Sequence, residues 1–241
     1  MTQITLKLRY KFRLILDETW SYGVLGRTGA GLTSHQNVDA TLVDLLIGSL
    51  AGPLCAGGGF CAGAADIVEH QRISSASYTF SAALPAMLAT TASETVTLLQ
   101  AQPELVAGLR EATRALRGQL MGEAGAKEWV RCSSAAENPV QLLVLREEIV
   151  AARGWSAAEQ EGVLQEVVDE ALAGGVLVTR LKGMPRAIGV SEAQTRPGTG
   201  AAWRAPPAVK VCAVGGLSRK EIERAGAAVR HAVQKVMARK R

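Results

Sequence analysis

The residues that could do chemistry cluster in one short stretch, Leu14-Ile15-Leu16-Asp17-Glu18-Thr19-Trp20-Ser21-Tyr22-Gly23-Val24-Leu25-Gly26. An apolar run of strand length delivers an acid, Asp17, at its C-terminal end, and the chain then turns through glycines. A carboxylate so placed can keep a pyridine nitrogen protonated. That is half of what a pyridoxal 5'-phosphate (PLP) site requires; the other half is a lysine that tethers the cofactor's aldehyde. No lysine occurs between Lys11 and Lys127. Arginine cannot replace it, because the guanidinium stays protonated and makes no useful imine. The acid is present and the amine is absent, so the stretch predicts a PLP-type site whose covalent chemistry takes place elsewhere.

Strands and helices must position these residues. Residues 12–17 read as a strand ending at Asp17, Leu42 to Gly48 as a second and Gly59 to Gly63 as a third. Short apolar runs of this kind suit a central sheet buried on both faces. From Leu84-Pro85 the spacing changes to helical, with Met87, Leu88, Val96, Leu98 and Leu99 on one helix. Pro103 interrupts it, and Leu105, Leu109, Leu116 and Leu120 continue the pattern. Val140 to Leu145 reads as a strand. Ser156 and Glu159 have the spacing of a capping box, and Gly174-Gly175 supplies a stop. Val176 to Thr179 reads as a strand, Lys182 to Ala205 as a Gly/Pro/Arg-rich loop, and Pro207 to Val214 as the last strand. Ser218 and Glu221 cap a final helix. The order implies an α/β chain with a larger sheet domain followed by a smaller α/β domain.

Charge supports the same division. Residues 1–100 hold 6 Lys+Arg and 7 Asp+Glu, net −1, whereas residues 101–241 hold 21 and 15, net +6. The expected domains are therefore 1–100 and 101–241. The positive excess is spread along amphipathic helices with few aromatic residues between, which argues against a nucleic-acid surface. Cys55, Cys61, Cys132 and Cys212 form no CxxC pair, so no metal site is expected and a reducing compartment fits best. Leu45 to Ala65 and Ile73 to Ser93 carry no charge and are long enough to span a bilayer. Six glycines and Pro53 break the first, and Ser and Thr crowd the second, so both read as segments of an α/β domain.

Three blocks carry a family resemblance. The first is Leu16-Asp17-Glu18-Thr19-Trp20-Ser21-Tyr22-Gly23-Val24-Leu25-Gly26-Arg27-Thr28-Gly29. The second is Gly48-Ser49-Leu50-Ala51-Gly52-Pro53-Leu54-Cys55-Ala56-Gly57-Gly58-Gly59-Phe60-Cys61. The third is His70-Gln71-Arg72-Ile73-Ser74, running into Tyr78-Thr79-Phe80-Ser81-Ala82-Ala83-Leu84-Pro85. In order and spacing the chain resembles the α-oxoamine synthases, which are fold-type-I PLP-dependent transferases of the aspartate-aminotransferase-like class. Among them it is most similar to the non-catalytic long-chain-base subunits of serine palmitoyltransferase, of fungal type.

The resemblance implies that 1–100 is the C-terminal part of the large domain and 101–241 the small domain. It implies that Asp17 pairs with the pyridine nitrogen, that Ser49 helps to hold phosphate, and that Ser81 reaches across a dimer to the phosphate in the partner's site. Trp20 stands where catalytic members place a ring-contacting histidine, and Gly52 where they place the Schiff-base lysine. Lys210 falls near a position that often carries an arginine for the substrate carboxylate. The implied activity belongs to a complex: a lysine-bearing catalytic partner holds PLP and condenses L-serine with palmitoyl-CoA to 3-ketosphinganine, the first step of sphingolipid synthesis. The implied location is the cytosolic face of the endoplasmic reticulum membrane, reached through an N-terminal half that this stretch does not include.

Each position also has a plain structural reading. Asp17 is a common turn initiator, Ser49 and Ser81 can bond backbone, and Trp20 suits a core or an interface. The Gly57-Gly58-Gly59 turn lacks the following Lys-Ser/Thr of a nucleotide loop. Two other functions stay open: a truncated interaction fragment without a working site, and a self-sufficient PLP-dependent acyltransferase, which the missing lysine opposes.

Overall fold

A computed structural model describes residues 2–122, 126–183 and 205–240. The chain divides into two compact units, Met1–Leu109 and Arg110–Arg241. Most of the expected loop 182–205 lies outside the described residues.

The first unit opens with helix α1 (Thr2–Tyr10) and strand β1 (Ile15–Asp17). After the short helix α2 (Leu32–His35) come β2 (Leu45–Ser49) and β3 (Gly59–Gly63). The three strands form one sheet in the order β1-β2-β3, with β1 parallel and β3 antiparallel to β2. Helices α3 (Ala65–Ser74), α4 (Ala76–Phe80) and α5 (Ala86–Ala101) follow. The expected burial on both faces is not found. β1 and β3 are edges of a three-stranded sheet, and every residue of β1–β3 is exposed or only half-buried. Lys7 and Arg13 pair with Asp44, whose carboxylate also accepts from the Leu14 amide, and these bonds fasten α1 and β1 to the entry of β2.

The division falls inside α6 (Glu104–Met121). Pro103 ends one helical run and starts the next because it has no amide to continue the ladder. The second unit holds β4 (Val130–Cys132), β5 (Val140–Leu145), β6 (Thr179–Leu181) and β7 (Ala208–Cys212) as a sheet of order β4-β5-β7-β6, antiparallel throughout. The run 176–179 becomes a strand only from Thr179, where pairing to Lys210 begins. Helices α7 (Glu147–Arg153), α8 (Ala157–Ala173) and α9 (Arg219–Arg239) complete it. Ser156 and Ser218 each close a full capping box, with Glu159 and Glu221, as their spacing predicts. One contiguous core joins Leu143 and Leu145 of β5, Val209 and Val211 of β7, Val163, Leu164 and Val167 of α8, and Val229, Val233, Val236 and Met237 of α9.

Candidate functional site

Two adjacent parallel strands of the first unit end together. Asp17, the last residue of β1, lies opposite Ile47 of β2, and Ser49 is two residues further along β2. The C-terminal end of such strands is where open α/β sheets place their ligands. The topology thus brings Asp17 and Ser49 to one edge, and the turn after Ser49 carries Gly52 past it.

Asp17 is exposed. Its Oδ1 accepts from the Thr19 amide at 2.8 Å, so it also initiates the turn. The Thr19 hydroxyl and then its amide hold the carboxyl below its usual range, leaving it ionised at neutral pH. Ser49 Oγ accepts from the Ala51 amide at 3.1 Å, a local backbone bond that fixes the same turn. Trp20 is 75% exposed, so the core alternative for it is excluded. Ser81 is not bonded to this edge: it is exposed at the C-terminal end of α4, in extended backbone.

The neighbouring acid carries a role that the sequence reading did not assign. Glu18 is only 2% exposed. Its carboxylate accepts from the Ser21 hydroxyl and from the Leu32 amide at 2.9 and 3.0 Å, and its own amide donates to Ile47 O at 2.7 Å. It therefore ties the turn after Asp17 to the start of α2. The fit requires glycine at 31, where φ is +92° and a Cβ would lie 2.7 Å from Glu18 Oε2. The bond from Gly23 N to Gly29 O, 2.7 Å long, closes the loop between them. The available signal was an acid flanked by a serine three residues on and a glycine preceding a short helix.

The fit to PLP can be tested residue by residue. An ionised carboxylate at a strand end suits a pyridinium nitrogen. The tether does not fit: Gly52 has no side chain, and the interval from Lys11 to Lys127 has no amine to offer. Gly52 adopts φ +66°, and a Cβ there would meet nothing within 4 Å, so the position is sterically open but held in a backbone region that a lysine rarely enters. Among the described residues, no group of three or more His, Cys, Asp or Glu could hold a metal ion. No described helix is long and apolar enough to cross a membrane. Lys210 lies on β7 in the second unit, opposite Leu142 of β5 and Thr179 of β6.

Comparison with known proteins gives a consistent set of relatives. The family model described as aminotransferase class I and II matches residues 1–183. Serine palmitoyltransferase 1 of Dictyostelium discoideum is 38% identical over 176 residues, covering 73% of this chain and 36% of that protein. Serine palmitoyltransferase 1 of Saccharomyces cerevisiae is 32% identical over 254 residues, 95% of this chain and 43% of that one. The chain thus spans less than half the length of these relatives. Among solved structures, a serine palmitoyltransferase from S. paucimobilis bound to a PLP–myriocin adduct aligns with TM-score 0.71 at 19% identity, over 98% of this chain and 50% of that one. An 8-amino-7-oxononanoate synthase from Francisella tularensis aligns with TM-score 0.69 at 15% identity, over 99% and 59%. These two likenesses concern the fold.

Proposed function

Because the chain belongs to the aminotransferase class I and II family, we propose that it serves as the non-catalytic subunit of a serine palmitoyltransferase. In this reading it supports a lysine-bearing partner that holds PLP and joins L-serine to palmitoyl-CoA, giving 3-ketosphinganine for sphingolipid synthesis. Relatives named serine palmitoyltransferase 1 and long chain base biosynthesis protein 1 support it. The single observation that carries it is the pairing of a retained, ionised Asp17 with Gly52 at the tether position. Bound PLP would supply an electron sink for carbanion chemistry; nothing in residues 12–126 can capture it covalently. Asp17 and Ser49 would contribute a ring-nitrogen partner and a hydroxyl near phosphate, in a site without its own nucleophile.

A second feature supports a companion role. Along residues 73–87 the first unit exposes Ile73, Tyr78, Phe80 and Met87, each by more than 60%. Runs of large exposed apolar side chains mark interaction surfaces, and here they flank Ser81, which in this reading meets the partner's cofactor phosphate. The domain assignment follows the same logic: residues 1–100 as the later part of a large domain and 101–241 as the small domain, in a complex on the endoplasmic reticulum membrane.

Co-expression with a lysine-bearing serine palmitoyltransferase subunit tests the reading. The complex should form 3-ketosphinganine while this chain alone forms none. Ser81→Glu should lower PLP occupancy of the assembled complex through repulsion of phosphate. Activity from this chain alone would overturn the companion role, and unchanged PLP occupancy in an assembled Ser81→Glu complex would remove Ser81 from the site.

A further inference from the structure

The segment between β2 and β3 does more than lack an amine. Past Ser49 the chain makes one turn of 3-10 helix, Gly52–Leu54, closed by the Cys55 amide donating to Gly52 O at 2.9 Å. The Leu50 amide donates to Gly58 O and the Ala56 amide to Leu50 O, both at 3.0 Å, which pins the segment at its two ends. Leu54 anchors it: the residue is 1% exposed, and its carbonyl accepts from the Thr95 hydroxyl of α5 at 3.2 Å. This turn also supports the loop after Asp17. Pro53 lies so close to buried Gly23 that a Cβ on Gly23 would stand 2.5 Å from Pro53 Cβ. Beside that contact the rings of Tyr22 and Phe60 meet edge to face, with centroids 5.2 Å apart. The Gly23 amide donates to Gly29 O, the bond that closes the loop.

The backbone of Gly52 decides whether this turn forms. Its φ of +66° is left-handed, where the Cβ of any other residue crowds the following carbonyl. Pro53 narrows the choice further, because its ring drives a preceding residue that carries a Cβ toward extended backbone. A Cβ at 52 would meet no atom within 4 Å, so the obstacle is conformation and not space. To reach the extended region the chain must open the turn. That breaks the bond from Cys55 to Gly52 and draws Pro53 away from Gly23.

We propose that Gly52 is a positioning residue: its left-handed backbone sets Pro53 against Gly23 and so holds the loop after Asp17, and Gly52→Lys loosens that loop instead of furnishing a tether. The missing amine is thus built into the turn and is not restored by one substitution. The proposal takes residue 52 as the tether position from the reading above; the brace itself stands without it.

Hydrogen exchange of the full chain carrying Gly52→Ala, Gly52→Asn or Gly52→Lys tests the brace. Amides of residues 21–31 should exchange roughly tenfold faster in Gly52→Ala and Gly52→Lys than in the wild type, the scale of a left-handed residue with a Cβ. The core amides of β5 and β7 should keep their protection. Gly52→Asn should recover most of the protection, because asparagine enters the left-handed region more readily. The tether is tested by adding one PLP per chain to Gly52→Lys, reducing with borohydride and mapping peptides. Labelling at position 52 should not exceed that of the exposed Lys11 and Lys127. Wild-type exchange across 21–31 in Gly52→Ala, equal exchange in Gly52→Ala and Gly52→Asn, or preferential labelling at position 52 would each overturn the proposal. The exchange is read without a partner, so its failure is distinct from that of the companion reading, which shows as a co-expressed complex that forms no 3-ketosphinganine.

Discussion

The two units handle apolar side chains in opposite ways. Among the described residues the first unit buries five hydrophobic side chains and exposes fourteen large ones, whereas the second buries twenty-two and exposes five. The contiguous core lies entirely in the second unit, between a four-stranded sheet and helices α6, α8 and α9. In the first, the sheet has three strands, and polar bonds made by Asp44 and Glu18 fix the turns that apolar packing does not. The contrast teaches where structure is self-contained and where it is prepared for something else. The second unit gathers its apolar residues into a core of its own, whereas the first leaves large apolar side chains at the surface, where the proposed partner would cover them.

The largest effect that could sharpen this contrast is truncation in the core. Leu164 is 1% exposed, and Leu164→Ala should cost about 2–5 kcal/mol in urea unfolding. Phe80 is 86% exposed, and Phe80→Ser should change the stability of the chain by no more than about 0.5 kcal/mol. Equal costs at the two positions would erase the distinction between the units.

A smaller effect is expected at the polar clamp of the second unit. Arg117 Nη1 donates to Gln141 Oε1 and to Ser134 O, both at 2.9 Å, and Gln141 is fully buried. Arg117→Met leaves these acceptors short of a donor and should cost about 1–3 kcal/mol. A cost near zero would mean that the clamp adds nothing to the backbone pairing and packing that hold β4 to β5.

The smallest effect concerns pH and belongs to the first unit. Lys7, the Leu14 amide and Arg13 hold the Asp44 carboxyl well below the usual carboxylate range. A carboxyl depressed by folding contributes stability that is complete above its unfolded value, about 3.9, and is lost as pH falls through the lower folded value. Thermal unfolding of the wild type should therefore show a loss below about pH 4 that Asp44→Asn reduces. Identical acid profiles for the two proteins would contradict the role given to Asp44.

Legibility in the sequence followed the same division. In the second unit local signals and packing agree: Val140–Leu145 is a strand at the expected bounds, and both Ser-x-x-Glu sites cap helices. α7 and β4 leave no mark in the sequence, because each is too short to show a period. In the first unit Gly59–Gly63 is a strand as read, but β1 is shorter than its apolar run, since only Ile15 to Asp17 has a partner strand. α1 and α3 are amphipathic only weakly, and nothing local marks them. At the site, the roles of Asp17, Ser49 and Gly52 come from the family resemblance, and the structure brings Asp17 and Ser49 to the C-terminal ends of adjacent strands. The burial of Glu18 was not, because it depends on Leu32, fourteen residues away, and on the backbone at Gly31. Trp20, expected in a core or interface, is on the surface, which leaves the interface reading in place.

The central claim is that the first unit's exposed apolar run is covered by a lysine-bearing partner. Hydrogen exchange of this chain, alone and in complex with such a serine palmitoyltransferase subunit, tests it most directly. The account predicts that amides across residues 73–87 and the turn after Asp17 gain protection in the complex, with the core strands β5 and β7 unchanged. A complex that forms while exchange across 73–87 stays as in the free chain would contradict it.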